Sequence, residues 1–191
     1  MSELSSASET SGASGTVPQA DWLVIIDPQV VFASPENSPW GSPLWAQTVP
    51  RIVSLAQAYG PARTVITRFV ADPGLGGSWA EYYDDWQFAL VDDNDELYAV
   101  VPELSGLADH VVTAGTFGKW GPALQAVVGE QASMAVCGVS TDCCVIATAL
   151  PAADAGARVQ VVADACAGSS PEAHDQAIGA MSMFAPQITI V

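Results

Sequence analysis

The sequence predicts an α/β protein with three αβα layers, built on a doubly wound and mostly parallel sheet of about six strands. Three observations carry that reading. Apolar runs rich in branched residues recur along the chain, as fully buried parallel strands do. Helix-length segments, opened by proline or closed by glycine, separate most of these runs. The length, 191 residues, suits one domain with one sizeable core.

Residues 1–20 are mostly Ser, Gly, Ala and Thr, with Glu3 and Glu9, too little apolar surface to offset ordering entropy. A disordered tail is expected there, with the domain spanning 21–191. The first strand is Trp22 to Asp27, a continuous apolar run ending in an acid. A helix from Leu44 to Tyr59 follows, closed by Gly60-Pro61, and then a strand from Arg63 to Arg68. The stretch from Val70 to Asp109 breaks the alternation. It is acidic and aromatic, with Trp79, Tyr82, Tyr83 and Trp86, and its length suits a lid or pocket wall rather than core. Strands at His110 to Ala114, Ala132 to Gly138, Arg158 to Ala163 and Gln187 to Val191 then frame three helices. Those helices are Trp120 to Gly129, Asp142 to Gly156, and Pro171 to Phe184. The whole pattern is Rossmann-like.

Charge excludes several functions. Against 21 Asp and Glu stand 5 Lys and Arg, a formal net charge of −16, so no basic surface exists to neutralise nucleic-acid phosphates. The chain is 50% hydrophobic and 14% charged, yet its apolar runs are too short to span a bilayer. With His110 and His174 its only histidines and Lys119 its only lysine, a Ser/His/Asp triad or His-rich metal site lacks material. Cys137, Cys143, Cys144 and Cys166 lack CxxC spacing, and no signal peptide precedes them, so a reduced, cytoplasmic protein is expected.

Ligands of open α/β sheets bind beyond the carboxyl ends of the strands, where strand order switches. Three reactive groups fall there. Asp27 follows the first strand, Lys119 follows the strand at His110 to Ala114, and Cys143 with Cys144 follow the strand ending at Cys137-Gly138. The segment Gly138 to Val145 reads as strand, tight turn and helix start, with Ser140 or Thr141 as N-cap. A helix N-terminus and a nearby lysine favour a thiolate, hence a nucleophile. Asp27 can accept its proton and return it to a leaving amine while Lys119 orients the carboxylate.

This combination resembles the cysteine hydrolases of the isochorismatase-like superfamily, which includes nicotinamidases, N-carbamoylsarcosine amidases and ureidoacrylate amidases. The resemblance spans Trp22 to Val191 and rests on Gly138-Val-Ser-Thr141-Asp-Cys-Cys144-Val145 with Ala147-Thr148-Ala149, similar to G-x-x-T-D-x-C-V-x-x-T-A. It implies Cys144 as nucleophile, Asp27 as acid and base, and Lys119 as their partner. It also implies a cis peptide between Val139 and Ser140, aiming the N–H groups of Ser140 and Cys144 at an oxyanion. The nicotinamidase metal ligands are missing: Thr67 to Gly74 contains Asp72 and no histidine, so neither metal nor other cofactor is expected. Isochorismatases proper lack a cysteine at the nucleophile position, so Cys144 favours hydrolysis of a small amide, carbamoyl compound, lactam or imide through a thioester. The alternatives are ether hydrolysis of an isochorismate-like compound, an idle binding protein of the same fold, or a thiol redox module using Cys143 and Cys144.

Phe32, Trp79 and Trp120 are expected to line the substrate pocket, and Arg68 either anchors substrate or makes a structural ion pair. Cys137 and Cys166 read as core residues, and Cys143 as packing. His110 and His174 read as strand-edge and helix-surface residues, and Asp164 as a loop or cap acid. The stretch from Asp72 to Asp109 is acidic, and no Lys or Arg falls between Phe69 and Gly118, which hints at a neutral or cationic substrate. A homo-oligomer is expected, with no nucleic-acid or membrane partner.

Overall fold

The computed structural model describes residues 16–191, so the expected tail lies, up to residue 15, outside the described residues. Residues 16–20 run against the domain: the Thr16 carbonyl accepts from Arg51 Nη2 at 2.7 Å, and the Pro18 carbonyl from the Tyr59 hydroxyl at 2.9 Å.

Six parallel strands form one sheet in the order β3-β2-β1-β4-β5-β6, with helices on both faces. They are β1 (Trp22–Ile26), β2 (Thr64–Phe69), β3 (His110–Ala114), β4 (Ser133–Val139), β5 (Arg158–Ala167) and β6 (Ile188–Ile190). The chain builds outward from β1 to β3, then crosses back to lay β4 against the other edge of β1. Residues following β1 and β4 therefore meet at the switch in strand order. The central strand β1 is apolar on both faces, and Leu23, Val24, Ile25 and Ile26 are wholly buried. Gly138 lets β4 lie this close: a Cβ there would sit 2.2 Å from the Ile26 carbonyl oxygen, and its φ of 113° suits only glycine.

The helices are α1 (Val30–Ala33), α2 (Trp45–Tyr59), α3 (Ser78–Asp85), α4 (Pro122–Val128), α5 (Ile146–Asp154) and α6 (Pro171–Ser182). In α2, Trp45, Val49, Ile52, Leu55, Ala56 and Tyr59 are buried, the helical spacing of one apolar face. Gly60 ends it, donating its N–H to the Ala56 carbonyl. Among the described residues no helix is long and apolar enough to cross a membrane.

Three expectations are corrected. The helix expected from Asp142 to Gly156 begins instead as a π-helical turn, Thr141–Val145, that passes into α5. The fifth strand continues past Asp164 to Ala167, because Asp164 points outward to pair with Arg51 Nε at 3.1 Å rather than ending the strand. The stretch from Val70 to Asp109 supplies core as well as wall, since Tyr98 and Leu104 are wholly buried. Tyr98 clasps that stretch: its hydroxyl donates to the Ala89 carbonyl and accepts from the Ala71 N–H, while its own carbonyl accepts from Gln29 and Arg68.

Candidate active site

Asp27 leaves β1 with a φ of 45°, a left-handed conformation that strains any residue bearing a Cβ. Thr67, near the end of β2, holds it there. The Thr67 Oγ1 accepts the Asp27 N–H at 3.1 Å and donates to Asp27 Oδ1 at 2.6 Å. The other oxygen, Oδ2, lies 3.0 Å from Lys119 Nζ, and both side chains are fully buried. Despite that charge contact, Oδ2 accepts no hydrogen bond among the described residues. A buried carboxylate oxygen so placed keeps a lone pair available for a proton.

Lys119 reaches this position because Gly118 lies against α5, where a Cβ would come within 2.5 Å of the Ala147 carbonyl oxygen. Thr148 clips the two segments together. Its Oγ1 accepts the Lys119 N–H at 2.9 Å and donates to the Cys144 carbonyl at 2.7 Å. Lys119 Nζ also donates to the Thr116 carbonyl at 2.5 Å and lies 5.3 Å from the centre of the Phe69 ring.

The thiols sit in the π-helical turn, where the N–H groups of Cys143 and Val145 both donate to the Ser140 carbonyl at 3.1 Å. The Val139–Ser140 peptide bond before it is cis. Ser140 stands at the N-cap position, as one of the two expected residues, though its side chain makes no capping hydrogen bond among the described residues. The turn is braced from α6 and the loop before it: Thr141 Oγ1 lies 2.9 Å from His174 Nδ1, and both carboxylate oxygens of Asp142 accept from Ser169, its N–H at 2.8 Å and its hydroxyl at 2.7 Å. His174 is therefore tied to the turn that carries the thiols and is not a plain surface residue.

Cys144 is buried and Cys143 partly so. The hydrogen bond of Cys144 with Cys143, its burial and the Asp27 carboxylate raise the Cys144 pKa above the ordinary range, against a smaller opposing pull from Lys119. The same hydrogen bond lowers the pKa of Cys143.

Cys143 and Cys144 open onto a pocket of about 270 Å³. Phe32 lines it, as expected, with Trp40, Phe69, Tyr82, Trp86 and Phe117 completing an aromatic wall. Ser140, Asp142 and Ser169 supply its polar side. Three expected lining residues stand elsewhere. Trp79 packs behind the wall, 4.8 Å from Phe117 and 5.3 Å from Tyr82 between ring centres. Trp120 is outside the lining with its Nε1 buried and unpartnered. Arg68 pairs with Asp93 at 2.7 Å and donates to the Tyr98 carbonyl, pinning the stretch after β2 rather than facing the pocket. Sequence reasoning missed Thr67, Gln29 and Trp40. A buried Thr near the end of an apolar strand signals the first, and Gln29 spans the Phe69 backbone and the Tyr98 carbonyl at 2.7 to 2.9 Å. Trp40 sits in a Ser/Pro/Gly loop that gives no periodic signal. No three His, Cys, Asp or Glu side chains converge as a metal centre requires among the described residues.

A three-layer α/β fold built on one parallel sheet thus places thiols, a carboxylate and a lysine beyond the carboxyl ends of its strands. Residues 21–190 match the family described as the isochorismatase domain, and the chain belongs to that family of isochorismatase-like hydrolases. An isochorismatase family protein from Desulfovibrio vulgaris aligns at 23% identity and a TM-score of 0.71, over 91% of this chain and 94% of that one. A nicotinamidase from Bacillus subtilis aligns at 22% and 0.69, over 87% and 97%. A cysteine hydrolase from Pseudomonas syringae aligns at 16% and 0.71, over 93% of each chain. Comparison with curated proteins finds no match.

Proposed function

We propose that this protein hydrolyses a carbon–nitrogen bond in a small molecule through a thioester on Cys144. The observation that carries the reading is Asp27 Oδ2, a buried carboxylate oxygen charge-paired with Lys119 yet accepting no hydrogen bond. It is a base held ready for one proton. In the first half-reaction Asp27 takes the Cys144 proton as sulfur bonds to the substrate carbonyl carbon, and the N–H groups of Ser140 and Cys144 receive the oxyanion. The carbon–nitrogen bond then breaks, and Asp27 gives its proton to the departing amine. Water follows the same path: Asp27 takes its proton, oxygen bonds to the acyl carbon, and the carbon–sulfur bond breaks. The proton returns to sulfur. Lys119 keeps its charge throughout, balancing the Asp27 carboxylate at rest and the oxyanion once Asp27 holds the proton, which suits a dry site.

The ether reading fits less well. An isochorismate-like substrate carries carboxylates, whereas none of the 5 Lys and Arg lines the pocket. The test is turnover of a panel of primary amides, carbamoyl compounds, lactams and imides, read by mass spectrometry on the native enzyme. Stalled turnover should leave an acyl adduct on Cys144 that disappears in Cys144→Ala, and an adduct on Cys143 instead would overturn the assignment.

A further inference from the structure

Resting on that hydrolase reading, we propose its substrate class: amides that carry a quaternary or protonated ammonium group a few atoms from the scissile carbonyl. The apolar lining of the thiol pocket is largely aromatic. Trp40 is its hub, with Tyr82 and Trp86 each at 5.8 Å between centres, Phe88 behind the lining at 4.8 Å, and Tyr82 5.4 Å from Phe117. A cation seated on such rings gains from the negative potential of their faces.

One charged side chain borders the pocket, Asp142. Its two oxygens are oriented by the Ser169 N–H and hydroxyl, both neutral donors, so its negative charge stands without a counter-ion in the pocket lining. The lysine nearest in the site, Lys119, is fully buried and already matched by Asp27. Arg68, which the sequence offered as an anchor, is matched by Asp93. An anionic substrate would meet one carboxylate and no cation. A neutral amide could return only an uncharged N–H donor to that carboxylate. A cation satisfies both the rings and Asp142. Because Asp142 and Cys144 share one turn, a small substrate can place its ammonium beside the former and its carbonyl at the latter.

A matched pair of compounds tests this: trimethylammonioacetamide and its neutral isostere 3,3-dimethylbutanamide. Binding is followed by calorimetry on Cys144→Ala, and turnover on the native enzyme. The cation should bind at least about tenfold more tightly than the isostere and be hydrolysed with the higher kcat/KM. Asp142→Asn, which removes the charge at nearly constant shape, should remove most of that ratio. Comparing ratios between native and variant cancels the activation that an ammonium group gives its neighbouring amide. Trp86→Leu, which keeps the wall apolar, should also weaken the cation selectively. If both compounds are hydrolysed alike, or either substitution weakens both equally, the cation preference is wrong and the hydrolase reading stands. If the cation binds preferentially and neither compound turns over, the cage survives and the hydrolase reading fails for these amides. Equal binding without turnover overturns the proposal.

Discussion

Asp27 occupies a left-handed backbone conformation that costs about 1 to 3 kcal/mol for a residue with a Cβ. Thr67 and Lys119 hold it against that cost. Removing one member of a buried ion pair strands the other, so Lys119→Met should lower unfolding stability by about 3 kcal/mol or more. The double change Asp27→Asn with Lys119→Met should recover part of that loss in urea unfolding. In kcat, each single change should abolish most activity and the double change should be no worse than either. Losses that multiply would separate the two residues into independent roles. The thiols make a second prediction. With the Cys144 pKa raised and that of Cys143 lowered, limiting iodoacetamide at pH 7 should label Cys143 first, and Cys144 labelling should climb only as pH rises above the ordinary thiol range. Peptide mass mapping reads the order, and a Cys144 rate already level at pH 7 would restore the resting thiolate.

Among the elements, the β1–β4 contact depends on Gly138. Gly138→Ala should cost about 3 kcal/mol or more, because both the φ of 113° and the 2.2 Å approach to Ile26 oppose a Cβ. Gly129→Ala, with a φ of 92° but open space around it, should cost about 1 kcal/mol, and denaturant midpoints compare the two. Much of this architecture was legible in the chain. The strands from Trp22 and Ala132 were readable because both their faces are buried, which leaves unbroken apolar runs. The site residues Asp27, Lys119 and Cys144 were readable because each follows a strand. The bracing was not. Thr67 and Thr148 act through single hydroxyls whose partners lie 40 and 29 residues away, a pairing that no local pattern encodes. The aromatic wall misled for the same reason: Trp79 and Tyr82 lie on one short helix, and which ring faces the pocket depends on how α3 is pinned.

At the scale of the whole molecule, thiol burial sets an alkaline limit. Burial raises the Cys137 pKa and pushes that of Cys166 up to about 12. In the unfolded chain both ionise near 8.5, so the folded form binds more protons above that pH. Their contribution to stability is therefore complete below about 8.5 and is lost as pH rises toward the folded values, by roughly 1.4 kcal/mol per pH unit for each thiol. Urea midpoints under reducing conditions should fall between pH 7.5 and 10, and Cys166→Ala should flatten the decline. A midpoint indifferent to pH across that window would contradict it.

The stretch between β2 and β3 furnishes Tyr82 and Trp86 to the pocket but no strand to the sheet, and it is fastened through Gln29, Arg68 and Tyr98. Part of the pocket wall is therefore carried by chain that adds nothing to the sheet. Substitutions at Tyr82 or Trp86 should accordingly reshape the cavity while strand pairing and the Asp27–Lys119 contact stay as they are.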